Sequence, residues 1–162
     1  MLKPVASKSA RADGARFAIV ASRYNGRYVE AMLRAAQAEL KRAGAGQVEV
    51  FRVPGAYEIP VVVSRLARTG SPRTTRFSAI ICLGVILRGE TVHAAHIGEA
   101  VSNALMQLQL RYEVPIVHEV LLLENEPQAR ARCLSKTHNR GAEAAQTALA
   151  MAGVMQRLDS SF

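Results

Sequence analysis

Apolar runs of strand length alternate with segments of helical spacing along the chain. The pattern predicts strands at residues 16–22, 48–53, 77–83 and 114–123. It predicts helices at residues 28–43, 57–68, 93–112, 126–134 and 141–158. Continuous apolar strands that alternate with helices are typical of a parallel sheet covered on both faces. The pattern therefore predicts a three-layer α/β fold.

The chain is expected to form one domain between two short polar ends. Residues 1–15 are small, polar and basic, and they are predicted to form a flexible arm. Residues 16–158 are assigned to the single domain, and residues 159–162 to a C-terminal tail. Within the domain, residues 70–76 and 84–91 are predicted to be loops.

Composition excludes several classes of protein. The 162 residues are 49% hydrophobic and 21% charged, which is ordinary for a globular domain and excludes a disordered chain or a collagen. No apolar run reaches the roughly 18 residues that a membrane span requires, and the first residues lack the apolar core of a signal peptide. The two cysteines, Cys82 and Cys133, form neither a disulfide framework nor a zinc motif. We expect a cytoplasmic protein without a membrane partner.

The charge suggests an anionic ligand rather than a nucleic acid. Lysine and arginine total 21 against 13 acidic residues, a net charge of +8, and 17 of the cations are arginine. Arginine suits phosphate and carboxylate groups. Aromatic residues make up only 5% of the chain, tryptophan is absent and the cations are scattered, so the stacking surfaces of a nucleic-acid-binding protein are not expected.

Ligands of open parallel sheets bind beyond the carboxyl ends of the strands. Four segments fall there, and all are rich in polar or aromatic residues: 22–26, 53–58, 84–93 and 123–126. The third contains two glycines and opens a helix, whose free N–H groups favour an anion. It has neither the P-loop lysine nor the dinucleotide glycine pattern, so a small phosphate is a better candidate than a nucleotide.

Several side chains near these ends have two interpretations. His93, in the first helical turn, is placed for acid–base work, but it could also cap or pack. His96 is interpreted as structural, because the two histidines lack a third metal ligand. The cations around Arg132 form either an anion site or a solvated helix face. Tyr24 and Tyr57 are either core residues or stacking surfaces.

Read together, three motifs resemble the 6,7-dimethyl-8-ribityllumazine synthase family of riboflavin biosynthesis. They are VPGAYEIP at residues 53–60, GVILRGETVH at 84–93 and NRGAEAA at 139–145, and they occur in family order. The resemblance implies a flavodoxin-like α/β/α subunit with a four-stranded parallel sheet. It implies an enzyme that condenses 5-amino-6-(D-ribitylamino)uracil with 3,4-dihydroxy-2-butanone 4-phosphate and releases phosphate and water. It further implies a homopentamer or a multiple of pentamers, riboflavin synthase as a protein partner, and neither cofactor nor metal.

For the uracil substrate, the resemblance assigns a stacking aromatic, a loop that holds the ribityl chain, and backbone contacts to the ring edge. The stacking residue is Tyr24, adjoined by Asn25, and His118 would cover the ring from a neighbouring subunit, where the family commonly has an aromatic residue. The loop residues are Ala56, Tyr57 and Glu58, and the backbone contacts come from Ile86 and Leu87.

For the phosphate and the proton transfers, the resemblance assigns His93 and Arg132 as catalytic residues. Lys136 lies one helical turn beyond Arg132, and Glu143 is implied to orient Arg132. The turn near the phosphate comprises Gly89, Glu90 and Thr91. The alternative is a catalytically weak flavin-binding or shell-forming relative, and the joint presence of Glu58, His93 and Arg132 argues against it.

Overall fold

A computed structural model describes residues 12–68 and 76–161 of the chain. Four strands alternate with five α-helices. The strands are β1 (Arg16–Ser22), β2 (Gln47–Val53), β3 (Ala79–Leu87) and β4 (Ile116–Leu123). The helices are α1 (Gly26–Arg42), α2 (Ile59–Arg68), α3 (His93–Tyr112), α4 (Glu126–Cys133) and α5 (Arg140–Asp159), and a single 3-10 turn (Ala56–Glu58) precedes α2.

All four strands are parallel, and their order in the sheet is β2-β1-β3-β4. Helices cover both faces, so the predicted three-layer α/β fold is confirmed. On one face, α1, α4 and α5 bury a cluster that includes Phe17, Met32 and Leu83. On the other face, α2 and α3 bury a second cluster around Ile59 and Ile80. The burial of apolar residues on both faces explains why the strands are continuous apolar runs.

Most element boundaries lie within two residues of the prediction, and two differences bear on the site. The predicted loop at 84–91 begins only at residue 88, because β3 continues through Gly84 to Leu87. A Cβ on Gly84 would lie 3.2 Å from Val120 Cγ1, so this glycine permits close packing beside β4 rather than a turn. The helix predicted from residue 57 begins as the 3-10 turn, and Pro60 then lies in the first turn of α2, where proline is tolerated.

Helix α5 packs against the backbone of α1 at Gly141. A Cβ there would lie 2.0 Å from the Met32 carbonyl oxygen, so no other residue fits. At the start of the described chain, Ala12 is 5% exposed and its N–H donates to the Ala43 carbonyl. Residues 12–15, predicted as part of the flexible arm, are therefore packed against the domain. Residues 1–11 of that arm, and residues 70–75 of the predicted loop, lie outside the described residues.

Within the described residues, no helix has the length and hydropathy needed to span a membrane.

Candidate active site

A groove opens at the carboxyl edge of the sheet, between β1, β3 and the amino-terminal half of α3. Its cavity volume is about 700 Å³. Three chain segments that are distant in sequence form its walls, together with one face of α3. The lining residues are Tyr24, Asn25, Gly55, Ala56, Tyr57, Glu58, Val85, Ile86, Leu87, His93, His96, Ile97 and Ala100. The groove thus contains eight of the fourteen predicted site residues.

The turn between β1 and α1 holds an aromatic ring at the mouth of the groove. Asn25 adopts the left-handed conformation, with φ of 54°, which asparagine tolerates better than most residues. Its Nδ2 donates to the Val85 carbonyl at 2.7 Å and so ties this turn to the end of β3. Tyr24 beside it is 71% exposed and belongs to no core cluster. The structure therefore supports the stacking interpretation of Tyr24 over the core one.

The turn after β2 presents a carboxylate. Glu58 Oε2 accepts a hydrogen bond from the Gly55 N–H at 2.9 Å, which leaves the other carboxylate oxygen without a partner in the described part of the chain. Gly55 was not among the predicted site residues. A Cβ at Gly55 would lie 2.9 Å from Tyr24 Cδ2 and 3.0 Å from Glu58 Oε2, so the missing side chain lets both residues approach.

The last residues of β3 offer backbone hydrogen-bonding groups to the groove. Strand β1 pairs with β3 only as far as Leu83, whereas β4 pairs with β3 through Leu87. The Val85 carbonyl faces Asn25, and the Arg88 N–H faces β4 and donates to Leu123.

Because backbone groups alternate in direction along a strand, Leu87 turns its N–H and carbonyl toward the groove and Ile86 turns its own toward β4. The predicted backbone contact is therefore reasonable for Leu87. For Ile86, which also lines the groove, it stays a prediction.

Helix α3 contributes an imidazole pair to the groove. His93 is the first residue of the helix, and His96 follows one turn later on the same face. The interpretation of His96 as merely structural is wrong in this respect, because it lines the groove together with His93. No described residue hydrogen-bonds to either ring. No group of three or more His, Cys, Asp or Glu side chains suited to a metal ion occurs among residues 12–68 and 76–161.

The remaining predicted residues do not line this groove. All six are exposed residues: Gly89, Glu90, Thr91, His118, Arg132 and Lys136. A Cβ on Gly89 would meet nothing within 4 Å, so no described residue occupies the space beside this turn. Arg132 makes no ion pair with any described residue.

Glu143 does not orient Arg132, contrary to the expectation from the resemblance. Its Oε2 accepts from Arg140 Nη1 at 2.7 Å, and Arg140 Nε donates to Glu119 Oε1 at 2.6 Å. Glu119 is 4% exposed, and this burial raises its pKa in spite of the nearby Arg140 guanidinium. Arg140 therefore forms ion pairs with both Glu119 and Glu143, and Arg132 forms none with a described residue.

Cys133 belongs to the core. It is fully buried, and burial raises the pKa of its thiol to about 11 despite the neighbouring arginines. Cys133 is therefore a packing residue, because a reactive cysteine needs a lowered pKa and access to solvent.

A second cavity, of about 520 Å³, lies at the opposite, amino-terminal edge of the sheet. Its walls come from the chain around Phe17, from residues 113–115 and from the end of α5, and no predicted site residue lines it. The carboxyl-edge groove is therefore the candidate active site.

Comparison with known proteins gives one consistent result. The family described as 6,7-dimethyl-8-ribityllumazine synthase matches residues 14–156. A protein of that name from Salinibacter ruber is 41% identical over 149 residues, covering 91% of this chain and 92% of its own. One from Xanthomonas oryzae pv. oryzae is 39% identical over 150 residues, covering 91% and 94%. One from Pyrococcus furiosus is 37% identical over 148 residues, covering 91% and 90%.

Proposed function

The chain belongs to the 6,7-dimethyl-8-ribityllumazine synthase family, and from that premise we propose that the carboxyl-edge groove is its active site. The chain catalyses the condensation of 5-amino-6-(D-ribitylamino)uracil, the uracil substrate, with 3,4-dihydroxy-2-butanone 4-phosphate, and this is a step of riboflavin biosynthesis. The observation that carries the site proposal is the convergence of a ring, a carboxylate, free backbone groups and an imidazole from separate segments on one groove.

The groove is proposed to bind the uracil substrate. The exposed Tyr24 ring stacks on the pyrimidine, while the backbone of Leu87 bonds to its polar edge. Glu58 is held by Gly55 through one oxygen, and its other oxygen accepts from a ribityl hydroxyl. Asn25 and the 56–58 turn fix these groups in place. Aromatic stacking with directional bonds at the ring edge is how proteins commonly hold single bases.

His93 is proposed to carry the proton transfers. The amino group of the uracil substrate attacks the ketone, and the adduct loses water to form an imine. Elimination of phosphate leaves an enol that tautomerises to a new ketone. The second nitrogen attacks this ketone, and loss of a second water closes the ring. Each of these steps moves a proton, and an imidazole both accepts and donates protons near neutral pH. His93 lies in the groove wall with its ring free of hydrogen bonds to described residues. Holding two substrates together supplies much of the remaining rate enhancement.

We propose that the phosphate is bound by Arg132 and Lys136 of a neighbouring subunit, near the turn at residues 89–91. Both cations lie outside the groove of their own subunit, and Arg132 has a free guanidinium. Two large apolar residues of α3, Met106 and Leu110, are 55% and 70% exposed, as expected of a face that another copy of the chain covers. A closed ring with head-to-tail contacts puts one subunit's groove against its neighbour's opposite face.

The catalytic proposal is tested by incubating the protein with both substrates and following lumazine fluorescence. We expect turnover without any added cofactor or metal. Retained binding of the uracil substrate without turnover would instead favour the catalytically weak relative. Light scattering tests the assembly, and a mass near 17.5 kDa at micromolar concentration would refute it, since a pentamer or a multiple of pentamers is expected.

Sharing of the active site is tested by mixing two impaired variants, His93→Ala and Arg132→Ala, through co-expression. If a groove uses its own His93 and the neighbour's Arg132, about a quarter of the sites in mixed rings contain both, and activity returns well above either parent. If one subunit supplies both residues, no intact site forms and activity does not return. A cytoplasmic location and an association with riboflavin synthase are retained as predictions.

A further inference from the structure

The histidine on β4 is held in one protonation state by its own subunit. His118 Nδ1 accepts a hydrogen bond from the Val120 N–H at 3.1 Å, so this nitrogen carries a lone pair. The proton of the neutral ring must then be on Nε2. His118 Nε2 lies 2.7 Å from Ser102 Oγ on α3.

Ser102 is the matching acceptor. Its Oγ lies 2.7 Å from the Gly98 carbonyl, one helical turn earlier, so its hydroxyl hydrogen is donated there. Its lone pair is consequently left for the His118 Nε2–H. One arrangement of protons satisfies all three bonds, and it runs from Val120 through the ring and Ser102 to Gly98. Protonation of Nδ1 would set two donors against each other, which opposes formation of the imidazolium.

The groups that the described elements α3 and β3 place against the ring carry no charge. Helix α3 presents Gly98 and Ser102, and a Cβ on Gly98 would approach the apolar Leu122 of β4 at 3.7 Å. Strand β3 pairs Cys82 with His118 in register, and burial raises the pKa of this thiol, so it remains neutral. Partial burial of the ring likewise lowers the pKa of His118. The next residue of β4, Glu119, has its carboxylate on the opposite face, bound to Arg140.

We propose that Ser102 is a positioning residue that fixes His118 as a neutral, immobile aromatic plate, so that His118 contacts the uracil substrate through its ring face and takes no part in proton transfer. This inference rests on the proposed function, in which His118 reaches the uracil site of a neighbouring subunit. Both ring nitrogens are satisfied inside the subunit, so only the face of the ring remains for a ligand. His93 is then left as the residue that transfers protons.

The test is a double-mutant cycle on the intact assembly, with KM for each substrate and kcat measured across pH. Ser102→Ala is expected to raise the KM for the uracil substrate about threefold to tenfold, with kcat nearly unchanged. This is the change in affinity that corresponds to the loss of one hydrogen bond that orders a side chain. Ser102→Thr retains the hydroxyl and should restore the KM. In a His118→Phe background, Ser102→Ala should have no further effect, because no imidazole remains to be held.

The matched control is Ser160→Ala. Ser160 is an exposed serine whose Oγ also bonds to a carbonyl one turn earlier, that of Gln156 at 2.9 Å, but it holds no imidazole. It should leave both KM values and kcat at the starting level. His118→Ala should raise the uracil KM more than His118→Phe does, since only the phenyl ring replaces the lost face.

Two results would overturn the inference. An equal effect of Ser102→Ala in both backgrounds would mean that the serine acts on α3 rather than on His118. A His118→Phe variant that loses kcat and its dependence on pH would mean that the imidazole transfers protons. A readout independent of turnover is the Nε2–H proton resonance of His118, expected in the starting protein and in Ser102→Thr and absent in Ser102→Ala. Lack of lumazine formation by the starting protein, with this resonance present, would refute the proposed function and not the Ser102–His118 bond.

Discussion

Replacing Gly55 with alanine adds one methyl group between the two groups that we assign to the uracil substrate. The new Cβ would lie 2.9 Å from Tyr24 Cδ2, whereas carbon atoms pack best at about 3.5–4.0 Å, so the ring must move by roughly 0.6 Å or more. The backbone of Gly55 is extended, with φ of −132°, and alanine adopts it without strain. The substitution is thus a steric perturbation of the groove alone.

The effect should fall on one substrate. Tyr24 is 71% exposed and can swing outward, so the cost of the methyl group is a displaced ring rather than an unfolded protein. A stacked aromatic is worth about 1–3 kcal/mol per base, which corresponds to about a fivefold to 150-fold change in affinity. We expect Gly55→Ala to raise the KM for the uracil substrate within this range and to leave the KM for the butanone phosphate nearly unchanged.

The assay is the initial rate of lumazine formation with each substrate varied in turn, together with a thermal unfolding curve. Gly153→Ala is the control, because a Cβ at this helical glycine meets nothing within 4 Å and lies outside the groove. It should leave both KM values unchanged and slightly stabilise α5, by about 0.5–1 kcal/mol. A folded Gly55→Ala protein with an unchanged uracil KM would refute the placement of the substrate against Tyr24.

Four further predictions follow from the same groove and fold. Tyr24→Ala should weaken binding of the uracil substrate by about 1–3 kcal/mol, whereas Tyr24→Phe should cost much less; equal losses in a titration would show that the hydroxyl matters and not the ring. Arg132→Ala should raise the KM for the butanone phosphate and weaken inhibition by inorganic phosphate. Unchanged phosphate inhibition in this variant would mean that Arg132 belongs to a solvated helix face. His93→Ala should instead lower kcat by about a hundredfold or less. Because burial lowers the pKa of His118 in the folded chain, the unfolded state binds more protons as the pH falls below about 6.5, so His118 contributes to a loss of stability with acidification. That component should be absent from urea unfolding of His118→Phe, and an identical pH dependence in both proteins would contradict it. Gly141→Ala should prevent folding or assembly, as circular dichroism and light scattering would detect, because its Cβ would lie 2.0 Å from the Met32 carbonyl oxygen; a native-like variant would mean that α1 and α5 separate easily.

The fold was largely predictable because both faces of the sheet are buried. Burial on two faces produces continuous apolar strands, and these runs located β1 from its first residue to its last. The boundary of β3 was missed because Gly84 was interpreted as a loop residue. A glycine inside a strand has the same local appearance as one in a turn, and only the packing of Val120 against it distinguishes the two.

The sequence by itself determined which chemical groups stand at the carboxyl edge, since parallel strands all end there and the segments that follow them carry Tyr24, Glu58 and His93. Only the tertiary structure decided how those groups are used. The backbone N–H and carbonyl that face the groove belong to Leu87 and not to Ile86, because β4 pairs with β3 further along the strand than β1 does. The tertiary structure paired Glu143 with Arg140 and left Arg132 unpaired, because the buried carboxylate of Glu119 lies across from the start of α5. Such choices depend on distances between segments far apart in sequence, which local spacing does not encode.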